Sequence, residues 1–155
     1  MVDSVTKVRR SEIMRLIPVK NTKPERLVKS AVWGAGFRYG RSAKRKLPGS
    51  PDLVFPSLRA VIFVHGCFWH GHTCHLARTP KSNVEFWTNK IDSNKKRDLR
   101  VIKALRSDNW LVITVWECSL ETSIRRAISV LRKRRELTRG HSLKPRSGTI
   151  RTRTR

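Results

Sequence analysis

Long apolar runs are missing from this chain of 155 residues. No segment reaches the roughly 18 consecutive apolar residues that a membrane-spanning helix needs. The N-terminal stretch Met1–Arg10 also lacks the apolar core of a secretory signal. These absences predict a cytoplasmic protein with no membrane partner. With only three cysteines, the chain cannot pair all of its thiols in disulfides, and thiols beside histidines favour a metal.

Acidic side chains are also scarce: 11 stand against 35 lysines and arginines, for a formal net charge of +24 at pH 7. Residues 123–155 hold twelve basic side chains and one acidic one, or +11, and the remaining 122 residues contribute +13. Such a charge repels itself unless a polyanion neutralises it, so nucleic acid is the expected partner. A solvated surface that only keeps the protein soluble is the alternative.

The order of predicted elements indicates an α/β fold in which helices flank a mixed sheet. Helices are predicted over 8–17, from the N-cap Thr22, over 83–91, over 93–107 and over 121–137. Strands are predicted over 37–39, 52–55, 59–64 and 110–116. The second and third strands are expected to form a hairpin, and the last to be a buried central strand. From Thr138 onward, few apolar residues remain, and we expect disorder until a partner binds.

Apolar residues at helical or strand spacing define the expected core. Its predicted members are Leu27, Ala31, Val32, Trp33, Leu99, Ile102, Leu105, Trp110 and Trp116.

Metal ligands and aromatics are concentrated in residues 65–74, which hold two of the three cysteines and three of the five histidines. Two nearby cysteines, a histidine and a distant cysteine make the closed set of four ligands that structural zinc uses. The predicted ligands are Cys67, His72, Cys74 and Cys118. His75 or His65 could replace His72, because spacing alone does not choose among them. Three independent buried thiols are the alternative.

Several acids and one histidine are candidates for phosphodiester chemistry. Asp52 follows Pro51 at the start of an apolar strand, where a carboxylate can hold Mg²⁺ beside a phosphate, although strand-opening aspartates are also common in ordinary turns. Glu25 is a second candidate, although it also fits a capping box with Thr22, which needs no function. Asp98 is a third, although ion pairs with the neighbouring lysines and arginines would also explain it. A histidine not used by a metal can act as a general base near neutral pH, and His70 is that candidate. A surface histidine or an alternative metal ligand is the other interpretation of His70.

Aromatic pairs accompany these groups. Phe68 and Trp69 lie among glycines and metal-type ligands, and Phe86 and Trp87 follow downstream. On a basic surface, such side chains stack on bases or wedge between them.

Taken together, these motifs resemble the very short patch repair endonucleases, bacterial enzymes that nick DNA at T:G mismatches left by deamination of 5-methylcytosine. The resemblance covers about residues 8 to 120, and the basic segment after 121 has no counterpart. The matching segments are 10–11 with Met14, 22–25, 47–52, 65–70 with Cys74, 86–87, 97–98 and 115–118. The resemblance implies a restriction-endonuclease-like fold with a structural zinc site. We expect an endonuclease domain over 1–137, which includes the basic helix predicted at 121–137, and a basic tail over 138–155.

The resemblance also implies roles for individual residues. Asp52 and the main-chain carbonyl of Val64 would bind catalytic Mg²⁺, and His70 would activate the attacking water. The family often has threonine at the position of Val64, and a carbonyl ligand tolerates valine. Supporting groups around the metal-bound waters would be Glu25, His65 and Asp98. Structural Zn²⁺ would be held by Cys67, His72, Cys74 and Cys118. The aromatics entering the DNA stack would be Phe68, Trp69 and Trp87. The basic helices would contact the DNA backbone through Arg10, Arg15, Lys95 and Lys96.

The implied partner is double-stranded DNA containing a T:G mismatch, with mismatch-repair proteins as further candidates. We expect a monomer that is associated with the nucleoid while bound to DNA. Two alternatives stay open from the sequence. One is a restriction- or damage-type nuclease of the same fold, which a comparison of T:G with T:A duplexes would distinguish. The other is a zinc-stabilised nucleic-acid-binding protein without catalysis, which would leave DNA intact.

Overall fold

The computed structural model describes Arg9, residues 21–40 and residues 47–142. The predicted helix over 8–17, with Arg10 and Arg15, and the tail beyond Ser142 lie outside these described residues. Within the described part of the chain, no helix is long and apolar enough to cross a membrane.

Three strands and three α-helices make up the described part of the fold. In chain order they are α1 (Lys23–Gly34), β1 (Leu53–Phe55), β2 (Ala60–His65), α2 (Val84–Ser107), β3 (Leu111–Trp116) and α3 (Leu120–Ser142). Short 3₁₀ turns occupy Pro56–Leu58, His75–Ala77 and Glu117–Ser119. The architecture is a mixed α/β one, as predicted.

The sheet is mixed and has the strand order β1-β2-β3. The predicted hairpin is confirmed, because β1 pairs with β2 antiparallel and Leu53 lies opposite Ile62. β3 pairs with β2 in parallel, which places Trp116 opposite His65. The start of β1 and the ends of β2 and β3 therefore meet at one edge of the sheet.

Two strand predictions are wrong. β2, not β3, is the central strand of the described sheet, and in β3 only Ile113 and Val115 are buried. Residues 37–39 form no strand. The backbone passes β1 and makes one bond there, from the Gly40 N–H to the Val54 carbonyl at 2.9 Å. Phe37 is buried through side-chain packing instead, with its ring edge-to-face on Phe55.

Helix boundaries also differ from the prediction. The two helices expected over 83–91 and 93–107 are one helix, α2, because no glycine or proline interrupts its 24 residues. Helix α3 continues to Ser142, so the disorder predicted from Thr138 is wrong for 138–142. At that point the Thr138 hydroxyl donates to the carbonyl of Arg135 at 2.9 Å, which satisfies the side chain within the helix.

Successive strand residues point to opposite faces of the sheet, and each face has its own hydrophobic cluster. α1 and α3 cover one face through Val28, Val32, Ala127 and Leu131. The C-terminal part of α2 covers the other, where Leu105 packs on Val54, Val61 and Phe63.

This packing explains which core predictions fail. On α1 the buried stripe is Val28 and Val32, which leaves Leu27 46% and Trp33 52% exposed. On α2 the sheet meets Leu105 and Val101, and Leu99 on another side of the helix is 68% exposed. Val32 and Leu105 are buried as predicted, whereas the remaining members are only half-buried: Ala31, Ile102, Trp110 and Trp116.

Candidate active site and metal centre

A cleft of about 490 Å³ opens at the edge of the sheet where β1 begins and β2 ends. Helix α1 contributes one wall through its first turn, and α2 contributes the opposite wall. All five side chains predicted to be catalytic line this cleft, beside the backbone of Val64: Glu25, Asp52, His65, His70 and Asp98. The structure therefore brings together groups from four separate segments of the chain.

Asp52 lies at the mouth of β1 and is half-buried. Its Oδ2 accepts a hydrogen bond from the Val64 N–H at 2.7 Å, and its own N–H donates to the Ile62 carbonyl at 3.0 Å. Since β1 and β2 are antiparallel, this carboxylate is fixed beside the last residues of β2. Asp52 and Val64 line the same cleft, and a carboxylate together with a main-chain carbonyl is a set of hard donors, which fits Mg²⁺.

His70 and Asp98 form the shortest polar contact of the cleft. His70 Nδ1 lies 2.5 Å from Asp98 Oδ2, and Arg97 donates to the other carboxylate oxygen at 3.1 Å. Burial acts to raise the pKa of Asp98, but the hydrogen bond and charge of His70, together with the hydrogen bond from Arg97, hold that pKa below its usual value. Because the ionised carboxylate only accepts, the Nδ1–H tautomer of His70 is favoured and Nε2 is its free acceptor.

His65 lies beneath His70 as its stacking partner. The two rings are 3.7 Å apart between centroids and tilted by only 6°. Burial, reinforced by the charge of His70, lowers the pKa of His65 to about 4. A neutral His65 can stay stacked on His70 without like-charge repulsion when His70 takes up a proton.

Glu25 has both of the roles that the sequence left open. Its side chain completes the capping box of α1 with Thr22, and the same carboxylate lines the cleft. Burial acts to raise the pKa of Glu25, but the hydrogen bond from Lys29 at 3.2 Å and those from the N–H groups of Asn21 and Thr22 lower it overall. Glu25 therefore offers the cleft an ionised carboxylate whose position the helix start fixes.

The predicted zinc ligands converge on a second centre. The ligand atoms of Cys67, His72, Cys74 and Cys118 all lie within 4.8 Å of one another, and this group could hold a metal ion. His75 is exposed in a 3₁₀ turn outside the group, and His65 belongs to the cleft, so the structure favours His72 over both.

The chemistry of this donor set fits zinc. Three sulfurs and one ring nitrogen are the ligands of closed structural sites. The hydrogen bond with His72 lowers the pKa of Cys74 to about 6, so this thiol is readily available as a thiolate. Burial raises the pKa of Cys67 to about 12, and a bound cation would offset that cost by stabilising the thiolate.

The loop between the two centres docks closely on α2. Gly71 has φ +59°, and a Cβ there would lie 2.4 Å from Lys95 Cε and 2.7 Å from Ile91 Cγ2. The side-chain amide of Asn94 donates to the Trp69 carbonyl at 2.9 Å. Gly71 is therefore required by both its backbone angle and the close helix, and Asn94 ties the aromatic part of the loop to α2.

The aromatics predicted to enter DNA form one cluster on this loop and the first turn of α2. Phe68 packs edge-to-face on Trp69 at 5.0 Å and on Trp87 at 5.3 Å, and Trp69 lies 6.0 Å from Trp87. Phe86 extends the cluster and is 57% exposed. Lys95 and Lys96 are exposed farther along the same helix.

Three residues of the site have no role assigned from the sequence, although the expected ion pair of Asp98 with a neighbouring basic residue is made by Arg97. Arg97 pairs with Asp98 in the cleft, Asn94 anchors the loop, and Trp116 contacts a histidine of each centre. Arg97 and Asn94 lie within a long basic helix, and the sequence of that helix does not distinguish them from its other polar residues. The apolar neighbours of Trp116 in the sequence predict a core residue, although its position opposite His65 follows from the parallel register.

Comparison with known proteins agrees with this arrangement. A family model described as DNA mismatch endonuclease Vsr matches residues 2–76. The Type II nicking enzyme V.XorIIP of Xanthomonas oryzae pv. oryzae is 46% identical over 120 residues, which cover 77% of this chain and 88% of that protein. This chain belongs to the Vsr family of DNA mismatch endonucleases.

Two further relatives support the assignment. The DNA mismatch endonuclease Vsr of Escherichia coli K12 is 43% identical over 120 residues, covering 77% of this chain and 76% of that enzyme. The Type II nicking enzyme V.NmeAIP of Neisseria meningitidis is 44% identical over 121 residues, covering 78% and 86%. Membership in the Vsr family confirms the resemblance predicted from the motifs and makes the protein a DNA-cleaving hydrolase. The roles of individual site residues stay predictions.

Proposed function

We propose that this Vsr-family protein nicks one strand of double-stranded DNA at T:G mismatches in a reaction that depends on Mg²⁺. The observation that carries the proposal is the cleft, in which Asp52, His70 and their three supporting groups meet. The order of elements along the mixed sheet supports a restriction-endonuclease-like fold for this domain. We also propose that the endonuclease domain and the basic segment after it act together on the same polyanion.

The proposed catalytic chemistry divides between two sides of the cleft. Mg²⁺ bound by Asp52 and the Val64 carbonyl would stabilise the charge that develops on the scissile phosphate. On the other side, His70 Nε2 accepts the proton of the attacking water. Asp98 then stabilises the imidazolium through the Nδ1 hydrogen bond, as a carboxylate does in other histidine-dependent hydrolases. Glu25 and His65 complete the polar lining that orients water in the cleft.

The aromatic cluster offers a source of mismatch selectivity. Phe68, Trp69 and Trp87 pack together on the loop that also carries His70. A wedge between base steps costs unstacking energy, and a mismatched pair unstacks at lower cost than a matched one. Exposed lysines on α2, including Lys95 and Lys96, supply phosphate contacts that do not depend on sequence.

Zinc held by Cys67, His72, Cys74 and Cys118 would make the loop rigid. The loop contains His70 and Trp69 between two of these ligands, so a fixed ligand set restrains both side chains. We therefore assign zinc a structural task, since its four positions leave none open for water or substrate.

A nicking assay tests the proposal. Duplexes that differ only in a T:G or a T:A pair are incubated with the protein and Mg²⁺, and strand scission is followed on denaturing gels. We expect nicking of the T:G duplex alone, and no nicking by Asp52→Ala. Asp92→Ala, an exposed aspartate on α2, is the matched control and should nick as the wild type does. Equal nicking of both duplexes would show a restriction- or damage-type nuclease, and intact DNA under all conditions would refute catalysis.

A further inference from the structure

Trp116, the last residue of β3, lies between the cleft and the metal centre. Its ring stacks on His72 at 4.3 Å with a tilt of 29°. Its other contact is edge-to-face with His65, at 5.2 Å and 79°. One half-buried tryptophan therefore contacts both a predicted metal ligand and a cleft histidine.

The backbone builds this arrangement. In the parallel ladder Trp116 lies directly opposite His65, so their spacing is set by the sheet rather than by a flexible loop. His65 is itself only 7% exposed, with its face against His70 and with Phe63 and Trp116 as further ring neighbours. Consecutive ring contacts thus run from His72 through Trp116 and His65 to His70.

His70 needs such support because a single side-chain hydrogen bond within the described part of the chain leaves its ring a degree of freedom. The contact between His70 Nδ1 and Asp98 fixes one point of the ring in its plane. Rotation about that hydrogen-bond axis would still swing Nε2 away from a water held in the cleft. A ring stacked at 3.7 Å and nearly parallel removes this rotation, provided that His65 is held in turn.

We propose that Trp116 is a positioning residue for hydrolysis: it holds the plane of His65, and through His65 that of His70, against the His72 end of the metal centre. The proposal rests on the proposed function, in which His70 takes the proton of water. A displacement of a catalytic group by about 1 Å can lower a rate by roughly 100-fold, so a contact outside the cleft can matter. Trp116 touches neither DNA nor the reacting atoms in this scheme and acts only through His65.

Three variants test this role in the zinc-loaded full chain. Trp116→Phe keeps an aromatic face, Trp116→Leu removes it, and Trp110→Leu, directly before the other end of β3, is the matched control. Trp110 packs on the α2 side of the sheet, and its Nε1 donates to Asp108, so it contacts neither histidine.

Single-turnover nicking of the T:G duplex and the Kd for the same duplex are measured separately. We expect Trp116→Leu to lower the rate constant by roughly 10- to 100-fold at unchanged Kd. Trp116→Phe and Trp110→Leu should keep most of the wild-type rate constant.

A second readout does not depend on nicking. Histidine side-chain ¹H–¹⁵N spectra report the His70 tautomer and its hydrogen bond, and zinc per chain is counted by chelator release. We expect an altered His70 signal in Trp116→Leu and an unchanged one in the other two variants, with full zinc content in all three.

Equal losses of rate in Trp116→Leu and Trp116→Phe, or an unchanged His70 signal in Trp116→Leu, would overturn the proposal. Should Trp116→Leu fail to fold, Trp116→Met, whose longer and more flexible side chain can adapt to the space without a ring, replaces it. A wild-type protein that does not nick T:G duplexes would refute the proposed function instead, and the spectra would still decide whether Trp116 orders the His65–His70 stack.

Discussion

Replacing Asp98 by asparagine removes the charge that faces His70 and keeps the shape of the side chain. The carboxylate accepts from His70 Nδ1 at 2.5 Å, and it is only 17% exposed, so solvent screens the contact weakly. Hydrogen bonds to charged groups contribute about 1.5–3 kcal/mol. In the proposed reaction this contribution grows as His70 becomes an imidazolium. Since about 1.4 kcal/mol corresponds to a tenfold change in rate, Asp98→Asn should slow hydrolysis by roughly 10- to 150-fold.

Single-turnover nicking of a T:G duplex at saturating protein and Mg²⁺ measures this rate constant directly. Asp92→Asn removes the same charge from an exposed position of α2 and controls for the lower acidity of the helix. The Kd for the duplex should stay unchanged in both variants, because Asp98 contacts His70 and Arg97 rather than DNA. A wild-type rate in Asp98→Asn, or a decrease in rate fully explained by weaker binding, would refute the orienting role of Asp98.

Four further predictions concern other parts of the molecule. Trp69→Ala should reduce the T:G over T:A preference by about 1–3 kcal/mol with a smaller effect on duplex affinity, and an unchanged preference in paired nicking assays would exclude the wedge. Thr22→Ala should cost about 1 kcal/mol of unfolding free energy and leave nicking intact, whereas Glu25→Gln should reduce nicking more than thermal stability. Cys74→Ala should lower the unfolding free energy by more than about 4 kcal/mol and abolish zinc binding, and a stable zinc-loaded variant in denaturant titrations would contradict its role as ligand. Truncation after Ser142 removes five basic residues and no acidic one. It should flatten the slope of log Kd against log salt by up to about 0.9 for each phosphate that the tail neutralises in the full chain, and an unchanged slope would assign the tail another task.

Much of the chemistry of the site could be predicted from the sequence, because many of its metal-binding and titratable side chains lie close together along the chain. Residues 65–74 contain three of the four predicted zinc ligands and two of the five predicted catalytic side chains, and the only distant zinc ligand is the third cysteine. The choice among His65, His72 and His75 could not be made, because loop spacing permits each one to reach Cys67. It depends on the turn closed by the His72 N–H and the Cys67 carbonyl at 3.0 Å, which has no sequence signal.

The fold is predictable where local rules decide and not where packing decides. The capping box at Thr22 and the β1–β2 hairpin follow from local patterns, and both are present. The apolar run of β3 predicts a central strand, yet among the described strands β3 pairs only with β2. Trp33 shows the same limit, since Arg38 covers its ring at 3.9 Å and solvent reaches half of it. Apolar content indicates that a residue can be buried, and the neighbouring elements determine whether it is.

In the loop at 65–74, metal ligands, aromatic residues and cleft histidines alternate along the chain. The loop lies between the end of β2 and the side of α2, and both restrict its path. His65 belongs to β2 and points into the cleft, and two residues later Cys67 is buried at the metal centre. The turn from Cys67 to Gly71 then presents Phe68 and Trp69 to the cluster with Trp87, and His70 to Asp98. The backbone of this loop is held to α2 by Asn94 and to Glu117 through the Cys67 N–H at 3.3 Å. If insertion into DNA displaces Trp69, the neighbouring His70 should therefore move as well. Recognition of a mismatch could in this way be coupled to the chemistry in the cleft.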